Sequence, residues 1–170
     1  MNRAAAVISS AALLAGTVVG VAAGPASAQV YCPGEYYFTF SAGSVVWEPT
    51  NIHSDWMAPG VKATYTTSGT DTLTGTVSAS FTAEEGVLFA SVKEQYGVSV
   101  AKSWAQTSSW SYTGGPTGKV GRLMRFHKAV STTATEHLQN SNCTVTTIAT
   151  SKTVVPSSSN SDNKWDIQYQ

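Results

Sequence analysis

The stretch TLTGTVSASFTAEEGVLFASVKEQYGVSV, residues 72–100, decides the fold class because its hydrophobic period changes twice. Residues 72–81 alternate apolar and hydroxyl side chains, which is the two-residue period of a strand that buries one face. From residue 83 to residue 96 apolar side chains recur at helical spacing, and beyond Gly97 the two-residue period returns. The apolar side chains predicted to share a dry interior are Leu73, Val77, Phe81, Leu88, Phe89 and Val92.

Both ends of the predicted helix carry recognisable signals. Thr82 and Glu85 match a capping box, in which each side chain accepts a hydrogen bond from a free backbone N–H group at the helix start. Gly97 stands where a residue in the left-handed conformation commonly ends a helix. We therefore expect one short amphipathic helix over about residues 83–96, packed on one face of a sheet.

The rest of the chain is dominated by segments rich in β-branched and aromatic residues, which are typical of strands. The Gly/Pro sequence at residues 114–118 is the strongest turn signal, and residues 139–142 form a second one. Because these connections are short, we expect a mainly β fold: an antiparallel meander of five to seven strands. The strand-like segments are residues 35–47, 62–67, 72–81, 98–112, 120–135, 143–155 and 165–169.

The N-terminus has the features of a cleavable secretory signal. Arg3 precedes an apolar stretch over residues 4–23, and small residues lie where signal peptidase requires them before a cut at Ala28. The stretch is rich in Ala and Gly and poor in Leu, which disfavours the alternative of a retained membrane anchor. The sequence therefore predicts a signal peptide over residues 1–28, secretion, and a single β-rich domain over residues 29–170.

The chain contains two cysteines, Cys32 and Cys143. An exported protein meets oxidising conditions, in which such a pair commonly forms a disulfide. The bond would close a long loop and stabilise the fold by about 4–5 kcal/mol in the chain-entropy model. We predict this disulfide, with two separate buried thiols as the alternative.

The charge balance bears on the partners of the protein. Ten basic and ten acidic side chains give a formal net charge of zero, and charged residues make up 12% of the chain. Phosphate binding depends on clustered positive charge, so a nucleic-acid partner is not expected. Ser and Thr must cover much of the surface in place of charges.

No residue pattern points clearly to catalysis or to a metal. His53 and Asp55 flank a serine, but no G-x-S-x-G nucleophile sequence accompanies them. A metal site built from His53, Asp55, His127 and His137 would lack any recognised ligand spacing. The sharper enzymatic alternative is a secreted ribonuclease with a carboxylate base, a histidine acid and arginines that stabilise the phosphoryl transition state. Its residues would be Glu84 or Glu85, His127 or His137, and Arg122 and Arg125.

Five tryptophans raise the alternative of carbohydrate binding, in which flat rings stack on sugar faces. Aromatic rings also supply much of the core of a small β protein. Trp104 and Trp110 fall on the predicted buried side of their strand, whereas Trp56 lies in a Pro/Gly-rich loop. Trp56 is therefore the best candidate for contact with a glycan or a cell wall.

The stretch from Thr72 to Val130 resembles the stem region of aerolysin-type β-pore-forming proteins. In that family, long hydroxyl-rich strands flank a short amphipathic insertion segment, and a Trp-containing strand leads into a Pro/Gly turn. The resemblance implies that the insertion segment refolds as a hairpin with about 9–11 residues in each membrane-crossing strand. More loosely, the whole chain is similar to small exported proteins of actinobacteria. The matching segments are residues 72–81, 82–97, 98–113 and 114–118.

From these patterns we predict a secreted, non-catalytic protein that acts by contact with a cell surface, a membrane or another secreted protein. Strand addition at an exposed sheet edge is one means of such contact. The alternatives are an aerolysin-like pore-forming protein, a carbohydrate-binding or cell-wall-binding module, and a secreted ribonuclease. No cofactor, metal ligand or catalytic residue is predicted, and the candidate binding residues are Trp56, Arg122, Arg125 and His127.

Overall fold

The computed structural model describes residues 32–170, and the predicted signal peptide over residues 1–28 lies outside the described residues. This range contains six strands and one helix, which confirm the predicted mainly β, antiparallel fold with one helix. The elements are β1 (Glu35–His53), β2 (Ala63–Thr74), α1 (Glu85–Tyr96), β3 (Ser103–Gly114), β4 (Gly121–Gln139), β5 (Val145–Pro156) and β6 (Asn163–Tyr169).

The strands are divided between a four-stranded sheet and a two-stranded ribbon. In the sheet, β4 pairs with β1 along one edge and with β5 and β6 in succession along the other, all antiparallel. In the ribbon, β2 pairs with β3. The predicted meander is therefore confirmed for β4 and β5 but wrong for β3, which pairs with β2 and not with β4 despite the short connection. β1 pairs with β4 across a long stretch of sequence.

The central strand β4 buries opposite faces in its two halves. Arg125 and His127 are buried in the first half, and Val130 and Ala134 in the second. Successive side chains of a strand point to opposite faces, so this change from odd to even numbers means that the covered face changes. The first half is covered by the ribbon, since His127 stacks on Trp104 of β3, and the second half is covered by α1. The chain between β2 and β3 therefore passes from one face of the sheet to the other.

The helix forms where the sequence predicts it, but the start differs from the prediction. Gly97 ends α1 in the left-handed conformation, with φ 69°, as expected. The predicted capping box is wrong, because Glu84 is the N-cap residue and makes no side-chain capping hydrogen bond. Glu85 instead pairs with Lys102 at 2.6 Å. The N–H groups of Thr82 and Ala83 donate instead to the carboxylate of Glu136 on β4. A local sequence motif cannot reveal an acceptor on a distant strand.

The regular strands stop earlier on both sides of the helix than the alternation predicts. β2 ends at Thr74 and β3 begins at Ser103, so residues 75–81 and 98–102 lie outside the ribbon. Their apolar side chains still serve the interior, since Val77 and others pack against the core under α1. The alternation is real, but Thr76 and Val100 bridge to the end of β5 and the residue after it, and the ribbon pairing does not continue beyond them.

The predicted disulfide between Cys32 and Cys143 is confirmed, with the two Cα atoms 5.2 Å apart. It joins the residues before β1 to the turn between β4 and β5. The bond therefore fastens one end of the four-stranded sheet across all three of its long strands.

Candidate functional site

Residues 75–102, which we call the insertion segment, form an excursion from the ribbon between β2 and β3. The two ends of the segment lie side by side, because the Gly75 N–H donates to the Lys102 carbonyl at 2.8 Å. Thr76 then exchanges two backbone hydrogen bonds, of 2.6 and 3.0 Å, with Val154 at the end of β5. The segment therefore leaves and rejoins the ribbon at a single rung, next to β5.

The second end of the insertion segment is held by the chain that follows β5. The Ala101 N–H donates to the Pro156 carbonyl at 3.0 Å, and the Ser158 N–H donates to the Ser99 carbonyl at 2.9 Å. These bonds flank a bridge between Val100 and Ser157. Both ends of the segment thus depend on backbone bonds to the same edge.

Apolar side chains attach α1 to the second half of β4. Leu88 and Val92 of the helix are 1% and 0% exposed, respectively, and belong to one core cluster with side chains of β1, β4 and β5. Full burial of such a side chain contributes about 1.5–3 kcal/mol. The hydrophobic effect is therefore the main force that keeps the insertion segment folded. The sheet residues in this cluster are Phe38, Val130, Ala134 and Val155.

A bulge in β1 receives the last residue of the helix. The Tyr96 hydroxyl lies 2.9 Å from the Thr132 hydroxyl and directly over Gly43. A Cβ atom at Gly43 would lie 1.7 Å from the Tyr96 hydroxyl oxygen, so no other residue fits beneath the ring. The neighbouring Ala42 has φ 51°, which places the bulge in the left-handed region. The local backbone of β1 is thus shaped to hold the insertion segment.

Glu136 of β4 provides a polar attachment just before α1. Its side chain is 0% exposed, and its carboxylate accepts hydrogen bonds from the N–H groups of Thr82, at 2.8 and 3.0 Å, and of Ala83. Among the ion pairs formed by residues 32–170, none involves Glu136. A buried carboxylate with these backbone partners is stable only while the segment stays in place.

A cavity of about 290 Å³ lies between the insertion segment and the sheet. Its lining is about equally polar and apolar, and the Glu85–Lys102 ion pair forms part of it. Side chains that border a void lack attractive contacts on that side, which weakens packing. The segment is therefore held less tightly than a fully packed core element. The apolar lining residues are Phe38, Val77, Ala79, Phe81, Ala83 and Leu88.

A buried ion pair fixes the ribbon to the opposite face of the sheet. Arg125, one of the predicted binding residues, is 5% exposed and donates from Nε to Asp71 Oδ2 of β2 at 2.6 Å. Its guanidinium also lies 5.0 Å from the centre of the Trp110 ring of β3. Arg125 thus joins β4 to both ribbon strands and is not accessible to a partner in this conformation.

His127, a second predicted binding residue, occupies the same interface. Its ring is 0% exposed and stacks on Trp104 of β3, with ring centres 3.7 Å apart and an interplanar angle of 12°. Burial lowers the pKa of the imidazole below its ordinary value of 6.5. The histidine is therefore neutral and structural at neutral pH. Trp104 and Trp110 are buried as predicted.

The other two predicted binding residues remain at the surface. Trp56 is 42% exposed in the connection between β1 and β2, and the Arg122 guanidinium lies 4.7 Å above its ring. Arg122 Nε also donates to Gln168 Oε1 at 2.7 Å, which fixes the orientation of the guanidinium. The pair forms a preorganised aromatic and cationic surface near the start of β4. This is the end of the sheet opposite to the end that α1 covers.

The groups proposed for ribonuclease chemistry are not assembled into one site. Arg125 and His127 face the ribbon, whereas Glu84 and Glu85 begin α1, which packs on the opposite face. His137 stacks on Tyr37 near the far end of β4. Within residues 32–170, no three His, Cys, Asp or Glu side chains lie close enough to hold a metal ion.

Glu136 was missed as a candidate residue, although a signal for it exists in the sequence. It continues the even-numbered series that includes Val130, Thr132 and Ala134, all of which are buried. A carboxylate at an apolar position of a strand needs hydrogen-bond donors from elsewhere in the fold. The position of Glu136 in the sequence could therefore have predicted that its carboxylate binds another part of the fold. It could not have predicted that the donors are the N–H groups of Thr82 and Ala83.

No helix within residues 32–170 has the length and apolar character needed to cross a bilayer. No family model matches the chain, and neither the curated proteins nor the solved structures include a match to it.

Proposed function

We propose that this chain is an exported protein that permeabilises membranes, and that the insertion segment is the part that enters the bilayer. In this proposal the segment detaches from the sheet and lengthens β2 and β3 into one continuous hairpin. The observation that carries the proposal is the ribbon register, which runs without a bulge from the Ala63–Gly114 pair to the Thr74–Ser103 pair. The resemblance to aerolysin-type stem regions supports the same function.

Extending this register through the insertion segment sorts its side chains by polarity. Residues opposite each other in an antiparallel pair share one face, and the faces alternate along the strand. One face then carries the pairs Val77–Val100, Ala79–Val98 and Phe81–Tyr96. The other carries Ser78–Ser99, Ser80–Gly97 and Thr82–Gln95. A hairpin of this kind suits a boundary between lipid and water.

The length of the extended hairpin also fits a bilayer. Residues 76–84 and 93–101 give each strand a length within the about 9–11 residues that a tilted crossing strand needs. The charged residues on the apolar face, Lys102, Glu85 and Glu94, lie at the base or toward the tip of the hairpin. Charge is tolerated near the interfaces at a cost of only about 0–1 kcal/mol, in contrast to the midplane.

A single hairpin leaves unpaired backbone groups at its edges, and these cannot remain exposed to lipid. Several copies must therefore join edge to edge into a closed ring, with the hydroxyl faces directed to water. We infer that the active form is an oligomer and that the conformation described above is its water-soluble precursor. The predicted signal peptide and the disulfide support export of this precursor.

Two neighbouring exposed residues test the proposal with a matched pair of substitutions. Ala79 and Ser80 are both exposed in the folded protein, so lysine at either position should leave folding intact. In the hairpin, Ala79 faces lipid near the midplane, where lysine costs about 2–4 kcal/mol per copy, whereas Ser80 faces water. We expect wild type to release dye from phosphatidylcholine–phosphatidylglycerol vesicles, Ala79→Lys to release it at least tenfold more slowly, and Ser80→Lys to resemble wild type.

The same assay supplies the contradicting results. Equal inhibition by both lysine substitutions would refute the assigned register. No dye release by wild type from anionic, zwitterionic or sterol-containing vesicles, together with no heat-resistant oligomer on a gel, would refute the membrane function itself.

A second candidate function, cell-surface binding, is favoured by the exposed Trp56 ring and the guanidinium stacked on it. Such a pair can place its ring edge against a sugar while the cation pairs with an acidic group on the same polymer. We expect wild type to be retained on an acidic cell-wall polysaccharide resin and Trp56→Ala to elute at least fivefold earlier in added salt. Trp47, which is similarly exposed at 40% and lies near Lys164, provides the control substitution. Equal retention of the Trp56→Ala and Trp47→Ala variants would exclude a specific role for Trp56.

A further inference from the structure

His127 lies where the ribbon meets the insertion segment. It stacks on Trp104, and Trp104 follows Ser103, which is the first ribbon residue after the segment. On its other side, His127 Nε2 lies 2.9 Å from the Ser157 carbonyl oxygen, to which it donates its proton. Ser157 forms the bridge with Val100 of the segment. One imidazole therefore connects the sheet, the ribbon and the end of the insertion segment.

The surroundings of His127 suit the neutral ring and not the protonated one. With Nε2 engaged on the Ser157 carbonyl, Nδ1 is buried and has no hydrogen-bond partner among the described residues. A second proton would have to reside on Nδ1, as a donor without an acceptor in a closed interface. Leaving a buried donor unpaired is costly, and here the donor would also be charged.

The charged groups around His127 come from β2, from the connection between β5 and β6, and from β4 itself. Asp71 lies on β2 and Asp162 in the connection from β5 to β6, and both favour the protonated ring, whereas Arg125 on the same strand opposes it. Strand β3 contains no charged residue. Both carboxylates are already engaged, Asp71 with Arg125 and Asp162 with Lys128 at 2.6 Å. Burial outweighs their attraction, so the pKa of His127 is lowered.

The sign of the pH effect follows from this direction. A state in which the ribbon has separated and His127 meets water binds a proton more readily than the folded state, because its pKa is near 6.5. The contact is therefore fully stable above about pH 6.5 and loses stability as the pH falls from there toward the lower folded-state pKa. Each pH unit in that window shifts the equilibrium toward separation by up to about tenfold.

We propose that His127 is an acid-sensitive catch, whose protonation separates β3 from β4 and frees the insertion segment. The consequence for membranes rests on the function proposed above, but the release is a property of the protein in solution. Acidic surroundings would thus convert the soluble precursor to the form that inserts. The same residues account for a precursor that stays closed at neutral pH.

The test is hydrogen exchange without lipid at pH 7.5, 6.5 and 5.5, expressed as protection factors so that the intrinsic pH dependence of exchange is removed. We expect protection of residues 75–102 in wild type to fall between pH 6.5 and 5.5, by up to about fivefold for the binding of one proton, while β1 peptides stay protected. His127→Phe keeps a ring on Trp104 without a titrating group, and its protection should not change with pH. His137→Gln, at the other histidine of β4, should behave like wild type.

A second variant, His127→Gln, keeps a donor for the Ser157 carbonyl in case His127→Phe does not fold. A pH-dependent loss of protection that persists in either folded variant, or its absence in wild type, would overturn the proposal. The companion measurement is dye release at the same pH values. Acid-dependent release of the segment without dye release at any pH would refute the membrane function and leave the catch intact. Dye release with pH-independent protection would support the membrane function and refute the acid-sensitive catch.

Discussion

A disulfide between the insertion segment and β5 is expected to abolish membrane permeabilisation. In the double variant Thr76→Cys/Val154→Cys, the new bond would join two residues that exchange backbone hydrogen bonds in an antiparallel bridge. Cα atoms in such a pair lie about 5.5 Å apart, within the range that disulfides span. In the proposed transition the segment detaches from β5, and the bridge between Thr76 and Val154 is the contact that must break at its base. The new bond would therefore hold the base of the segment on the sheet.

The measurement is dye release by the oxidised variant, for which we expect the background rate. The control is a second engineered disulfide, Thr135→Cys/Thr150→Cys, between strands that stay paired in the proposed transition. The hydroxyl oxygens of Thr135 and Thr150 lie 3.0 Å apart, so this bond should form as readily. Full activity of the Thr76–Val154 bonded form would mean that the segment does not detach at its base, and the hairpin proposal would fail.

Removal of the Glu136 carboxylate is expected to have the next largest effect, in the opposite direction. In Glu136→Ala, the N–H groups of Thr82 and Ala83 lose a charged acceptor, and hydrogen bonds to charged groups contribute about 1.5–3 kcal/mol each. Loss of a buried charge offsets part of this, so we expect attachment of the segment to weaken by about 2 kcal/mol. That difference corresponds to about thirtyfold more of the open form.

Hydrogen-exchange protection of residues 75–102 at neutral pH measures this change directly, and dye release should accelerate with it. Glu35→Ala removes an exposed carboxylate from β1, outside the insertion segment, and serves as the matched control. Glu136→Gln keeps one acceptor oxygen and should give an intermediate result. Unchanged protection in a folded Glu136→Ala variant would show that the carboxylate does not hold the segment.

Periodicity sufficed to predict the strand-rich fold, the helix over about residues 83–96 and its end at Gly97, because these depend on local patterns. It could not predict that β1 pairs with β4, since that pairing joins distant parts of the chain and no local signal specifies it. The alternation of residues 75–81 was read as strand and is not one here. In the hairpin we propose, residues 75–81 would form a paired strand. The alternating pattern therefore fits both conformations, and it cannot predict which of them the folded protein adopts.

The candidate site was predicted less well, and for a physical reason. Arg125 and His127 lie on a face of β4 that carries polar side chains and could have faced water. The ribbon covers that face and buries both, which depends on tertiary packing. The capping box at Thr82 and Glu85 failed for a similar reason, because a carboxylate on another strand lies closer to the free N–H groups.

The disulfide between Cys32 and Cys143 encloses both strands of the ribbon and the whole insertion segment within one covalent loop. When the segment detaches, this bond still holds the start of β1 next to the turn that follows β4. Because the segment remains tethered at both ends, its return is an intramolecular step at high effective concentration. Opening in solution should accordingly be reversible until a membrane captures the exposed hairpin, which protects molecules that open before they reach one.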